Sequence, residues 1–226
     1  MDLKKNTVST LNLIRYGIEN SIERMVYASS MAVYGTVDDR PIDESHLCLP
    51  LSCYGVGKLA AENYLCVYLS KLPFVSLRMF NVYGPGQDLN NLRQGMVSIY
   101  LAQALEKGKI EVKGSVDRFR DFIFIDDVVE IWFKAATCSS ALGQTLNVGT
   151  GIKTTVKDIL ESVCKRVPES SYFVDGSTEG DQSGIYADVT KLSQCLGHSK
   201  FVQLEQGLGV FADWASKYFS DKNTIY

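Results

Sequence analysis

The sequence predicts an α/β fold, part of a doubly wound parallel sheet joined to a smaller α/β region. Three features predict it. Short β-forming apolar runs alternate with helical stretches of about 10–15 residues, the pattern of βαβ units. Two strand-like runs end on polar residues, Ser29-Ser30 and Phe80-Asn81, as strands do where an open sheet binds a ligand. The composition, 46% apolar and 22% charged over 226 residues, is that of a folded chain. A chain this long buries roughly 70% of its unfolded surface and needs no disulfide or metal staple.

The elements follow in order. Residues 3–20 carry Leu3, Leu11, Ile14 and Ile18 at helical spacing, and Arg24 to Ser29 is a strand. A loop from Gly35 to Ser52, rich in Pro, Asp and Gly, leads into a helix over 53–71 that Pro73 ends. PFVSLRMF is a buried strand, NVYGPGQD is turn chemistry, and residues 95–107 are helical. IEVKG and DFIFI are strands. DDVVEIWFKAA is a helix whose Asp126 and Asp127 suit the positive end of its dipole. TLNV (strand), TTVKDILESVCKRV (helix) and SYFV (strand) come next, then two helices, ADVTKLSQCLG and LEQGLGVFADWASKYF.

Composition excludes several classes of function. Lys plus Arg total 23 and Asp plus Glu 26, a net charge of −3, which argues against a nucleic-acid or anionic-membrane partner. Cys48, Cys53, Cys66, Cys138, Cys164 and Cys195 form no C-x-x-C pair, and His46 and His198 complete no zinc pattern, so no metal is expected. Reduced thiols, no signal-peptide core and no run of about 18 apolar residues predict a cytoplasmic chain without a membrane span.

Chemistry concentrates around Tyr54 and Lys58, a Y-x-x-x-K pair in the first turns of a helix. The i, i+4 spacing puts both side chains on one face. An adjacent ammonium favours tyrosinate, which makes a general base for an alcohol proton. A second match, Tyr218 and Lys222, lies far from any strand end and reads as a surface pair. Ser29 and Ser30 stand at the carboxyl end of the strand before Tyr54. A serine there can share a substrate hydroxyl with the tyrosine, or simply satisfy a free backbone group.

In order and over nearly the whole chain, YASSMAVYG, CYGVGK, LRMFNVYGPG, FRDFIFIDDV and LNVGTG resemble the extended short-chain dehydrogenase/reductases. Within them the chain resembles the NAD-dependent epimerase/dehydratase family, close to the UDP-glucose 4-epimerases. The resemblance implies a partial Rossmann fold with a substrate domain, NAD as cofactor (NADP remaining open), and a nucleotide-sugar substrate. It implies Tyr54 as acid/base, Lys58 as its modulator and nicotinamide-ribose ligand, and Ser30 as proton relay. Asn6, Ser29 and Phe80 fall on the cofactor side. Asn81, Arg120, Lys113 and Asp181 fall on the substrate side, Arg120 gripping phosphate through its planar fork. Arg120 alternatively pairs with Asp121 or Asp117 at the surface, Asn6 alternatively caps its helix, and Asp181 alternatively caps a turn. Thr178 stands where the family commonly has another phosphate-binding arginine. Met31 and Ala32 follow the serine where a dehydratase needs an acid, which favours 4-epimerisation. A nucleotide-sugar reductase or oxidase is the alternative enzyme. A remnant acting only as a binding or oligomerisation partner is the non-catalytic one.

Residues 1–85, with 120–138 returning to them, then form the second half of the cofactor domain. Residues 86–119 and 139–226 form the substrate domain. The family's first half, with its glycine-rich turn, has no counterpart. Gly149-Thr150-Gly151 has Thr154 at the third glycine position, and Gly55-Val56-Gly57-Lys58 has Leu59 and Ser52 where a phosphate loop needs other residues. The sequence thus reads as truncated at its N-terminus by about 90 residues. Weak NAD binding and impaired activity are expected. Leu59, Tyr64, Leu65, Val67, Tyr68 and Leu69 on helix 53–71 imply a homodimer of the family's kind.

Overall fold

The computed structural model describes residues 2–92, 95–176 and 183–224. A π-helical turn, Leu3–Val8, runs directly into α1 (Ser9–Glu19), which leads to β1 (Met25–Ser30). After the long loop come α2 (Cys53–Tyr68), β2 (Phe74–Met79) and β3 (Asn81–Tyr83). Then follow α3 (Met96–Lys107), β4 (Lys109–Val112), β5 (Phe119–Arg120), β6 (Phe122–Phe124) and α4 (Ile125–Thr137). The remainder is β7 (Gln144–Val148), β8 (Thr154–Thr155), α5 (Val156–Arg166), β9 (Ser171–Val174), β10 (Gly184–Ile185), α6 (Thr190–Leu196) and α7 (Leu204–Thr224).

The main sheet is parallel, in the order β1-β2-β7, with Ser30 beside Met79 and Met79 beside Val148. All three carboxyl ends therefore finish level, on one side of the molecule. Alternation sorts the side chains of β2 between two layers. Val75 and Leu77 join Val128, Ile131 and Ala135 of α4 and Leu192 and Leu196 of α6. Phe74 joins Ile14 of α1 and Ala61 and Leu65 of α2. Helices on both faces make this the doubly wound arrangement. β1 pairs only with β2, so its outer edge has no strand partner among the described residues. A second core lies between α3, α5, α7 and β4, around Leu101, Ile110, Leu160 and Phe211.

The stretch 139–226 divides between these layers: β7 and α6 belong to the main sheet, while α5 and α7 belong to the second core. The sequence groups them in one substrate domain because chain order hides that β7 returns to pair with β2. Asn81 to Tyr83, read as part of a turn, forms strand β3 and pairs in parallel with β6. The turn starts only at Gly84, where φ is 145°. The two-residue strands β8 and β10 are too short to show any period.

Candidate functional site

A cavity of about 350 Å³ opens at the carboxyl ends of β1 and β2, and Ser30, Tyr54, Phe80 and Asn81 all line it. Each reaches it for a local reason. Ser30 ends β1 in extended conformation and caps the short turn Met31–Val33, its Oγ accepting from the Ala32 N–H at 3.2 Å. Its capping and site readings therefore coexist. Ser52 caps α2 by accepting from the Gly55 N–H at 3.1 Å, which fixes where the helix begins and puts Tyr54 in its first turn. Gly55 has no room for a side chain, because a Cβ there would lie 2.4 Å from the Ala32 carbonyl oxygen. The loop that follows Ser30 can therefore press against the start of α2.

Tyr54 is 42% exposed. Lys58 lies one turn on, half-buried. Its Nζ donates to the Ala28 carbonyl at 2.8 Å and stands 5.4 Å from the Tyr54 ring centre and 5.2 Å from that of Tyr27. Burial holds the Lys58 pKa below the usual lysine value. The Ser29 hydroxyl is buried at the cavity wall and has no hydrogen-bond partner among the described residues. Phe80 is buried, and its N–H donates to the Val148 carbonyl. The Asn81 side-chain amide donates to the Asp121 carbonyl at 3.1 Å and lies 3.7 Å from the Met31 sulfur.

Other candidates stand around this cavity. Arg120 lines a neighbouring cavity of about 200 Å³ with Met31, Ser52 and Ile185, and donates to the Phe119 carbonyl. Lys113 lines a third cleft, about 440 Å³, beside Arg118 and Gln103. It pairs with Glu111 at 3.5 Å and does not line the Ser30–Tyr54 cavity, although Gly95 and Met96 line both. Asn6 does not cap a helix: it sits inside the π-helical turn, over Gly57 of α2, and its carbonyl accepts from Thr10. Such turns insert one extra residue and often occur at functional sites. Asp181 and Thr178 lie outside the described residues. Tyr218 stacks on Trp214 and accepts from Asn90 at 2.7 Å, so that phenol packs on the second core.

Two polar features have no simple sequence signal. Asp121 is no surface partner for Arg120. It is wholly buried and accepts from the N–H groups of Thr150, Gly151 and Ala187 and from the Thr150 hydroxyl. Burial raises its pKa, and those hydrogen bonds offset part of the rise. Arg78 and Glu62 form a buried fork between β2 and α2. The alternation of β2 marks position 78 as inward, but only the fold shows what meets it.

Residues 2–149 match the family described as the NAD dependent epimerase/dehydratase family. The UDP-glucose 4-epimerase of Mycolicibacterium smegmatis is 31% identical over 212 residues, covering 92% of this chain and 67% of that protein. The solved UDP-glucose 4-epimerase of Thermotoga maritima, with UDP-glucose, superposes at a TM-score of 0.90 with 28% identity, over 96% of this chain and 71% of that one. A UDP-glucuronic acid 4-epimerase from Bacillus cereus, in complex with UDP-glucuronic acid and NAD, superposes at 0.86 with 28% identity, over 94% of this chain and 68% of that one. The family match runs from the first helix through the three-stranded sheet, and so contains the whole Ser30–Tyr54 cavity rim on β1, α2 and β2. On sequence and on fold alike, the chain belongs to the NAD-dependent epimerase/dehydratase family.

Proposed function

We propose that this chain carries the catalytic and substrate-binding residues of a nucleotide-sugar 4-epimerase. The observation that carries the reading is that Ser30 and Tyr54 line one cavity at the strand ends, with Lys58 one helical turn behind the phenol. The Tyr54 oxygen exchanges a proton with the sugar hydroxyl, and the Ser30 hydroxyl, donor and acceptor at once, steadies the same oxygen. Lys58 brings positive charge beside the phenol. Met31 and Ala32 carry no transferable proton, which favours epimerisation over loss of water.

The residues present suit the nicotinamide end of NAD. The unpartnered Ser29 hydroxyl supplies a polar contact, buried Phe80 a flat apolar wall, and Lys58 and Tyr54 the groups for a ribose. Asn6 packs against Gly57 of α2, the residue before Lys58. Bound there, NAD would supply hydride-transfer chemistry at the sugar carbon.

The sugar nucleotide lies along the chain of cavities. Asn81 and Arg120 stand nearest the Ser30–Tyr54 cavity, and Lys113 in the cleft reached past Gly95 and Met96. A guanidinium and an ammonium group suit the charge of a diphosphate.

The test is to incubate the protein with a UDP-hexose and NAD at millimolar concentration, follow the sugar at C4 by NMR, and follow NADH by absorbance. Interconversion at C4 without net NADH, abolished in Tyr54→Phe, is the expected result. Stoichiometric NADH would instead mark an oxidase. A Tyr54→Phe protein as active as the parent would remove the proposed role altogether.

A further inference from the structure

Tyr54, Lys58 and Glu62 fall at i, i+4 and i+8 on α2, along one stripe. Tyr54 lines the cavity, and Lys58 reaches the Ala28 carbonyl of β1. The third meets β2: Glu62, 3% exposed, receives the Arg78 guanidinium, 6% exposed, through Nη2 at 2.7 Å and Nε at 3.1 Å. The Ser76 hydroxyl donates to the same carboxylate at 3.3 Å. Arg78 sits beside Ser29 in the sheet register, one residue before the pair Ser30–Met79. Its guanidinium lies over the Tyr34 ring at 4.9 Å, and the Tyr34 hydroxyl donates to Asn147 of β7 at 2.6 Å. One connected polar network thus joins α2, β2, β7 and the loop after Ser30.

We propose that the Glu62–Arg78 fork is a positioning device, which sets the rotation and height of α2 so that Tyr54 and Lys58 meet Ser30. This deepens the functional reading above and rests on it. The physical ground is directional. An apolar pair of like volume holds a helix to a sheet as firmly as a buried ion pair does. It does not fix how the helix is rolled about its axis. A planar guanidinium meeting a carboxylate through two donors does fix it. Glu62 lies eight residues from Tyr54, about 12 Å along the axis, so a small roll at the fork carries to the phenol.

Two variants test the proposal: Glu62→Met/Arg78→Met, which removes both charges together, and Arg78→Lys, which keeps the charges balanced but loses the fork. The readout independent of turnover is the titration of the Lys58 ammonium, followed by ¹⁵N-lysine NMR and assigned with Lys58→Met. Folding is checked by thermal melting. In folded variants the Lys58 signal is expected to move toward the ordinary lysine range as Nζ loses its buried seat on the Ala28 carbonyl. Where the parent shows C4 turnover, kcat is expected to fall about a hundredfold, with KM within about threefold of the parent. A folded variant of either kind with the parent's Lys58 titration, or with unchanged kcat, overturns the proposal. Absence of turnover in the parent would count against the functional reading alone, because the Lys58 titration still decides the positioning claim.

Discussion

The Lys58 ammonium is half-buried between two tyrosine rings, with the Ala28 carbonyl as its acceptor. Because burial lowers its pKa, the folded protein releases this proton at a lower pH than the unfolded chain does. Between those two values the unfolded state binds more protons, so stability rises with pH. Below that window the lysine is charged in both states and burial works against folding. The melting temperature of the parent should therefore gain on that of Lys58→Met as the pH climbs toward the ordinary lysine value of about 10.4. A difference between the two that stays flat over that climb would refute the buried ammonium. Asp121 works in another way. Its carboxylate accepts from the N–H groups of Thr150, Gly151 and Ala187 together, so Asp121→Ala strands three donors. Each unsatisfied buried donor costs about 1–3 kcal/mol. Chemical denaturation of Asp121→Ala should show at least that loss, with the three-strand sheet and α6 side opening first by hydrogen exchange.

At the scale of elements, the close seat of Asp121 also explains a glycine. A Cβ on Gly149 would lie 2.5 Å from Asp121 Oδ2, although the backbone at Gly149 is ordinary. Gly149→Ala should cost about 1–3 kcal/mol by overpacking. Thr155→Ala, which removes the capping box closed by Asp158 at the start of α5, should cost about 1 kcal/mol. Urea melts of both variants check the ranking: Thr155→Ala disturbs an exposed cap, Gly149→Ala a buried contact. These cases show what the sequence could and could not disclose. The helix over 53–71 and the strand PFVSLRMF were legible because apolar spacing and Pro73 report local structure. Ser30, Tyr54 and Lys58 could be singled out because strand end and helix start are local as well, and the fold adds that Ser30 and Tyr54 share a cavity with Phe80 and Asn81 while Lys58 reaches the Ala28 carbonyl. The buried roles of Asp121 and of Glu62 with Arg78 were not legible. Their partners lie up to 66 residues away, at Ala187 in the farthest case, and a charged letter alone says nothing of its burial. Asn6 was read as the start of a helix because a π-helical turn leaves no trace in apolar spacing.

For the whole molecule, the open question is which surface meets a partner. The apolar residues of α2 divide by face. Leu65 belongs to the core with α1 and the sheet, Leu59 packs near Tyr34 and Phe80, and Tyr68 lies partly under the first core. Tyr64 and Val67 point outward, Val67 with 74% of its surface exposed, and Val56 continues the same stripe two turns earlier. Leu13 and Tyr16 of α1, which packs beside α2, are exposed as well. We propose that this two-helix face is where a second copy docks, giving a bundle of four helices. A specific interface of that kind covers at least about 1,000 Å² in total, and a charge at its centre would be left desolvated and unpaired. Light scattering of the parent should give twice the mass of 25.1 kDa, and Val67→Glu should return it to one chain with its melting curve within a few degrees. The outer edge of β1, without a strand partner among the described residues, is the rival surface, since edge N–H and C=O groups also pair chains. A dimer that survives Val67→Glu would move the contact away from α2 and toward that edge.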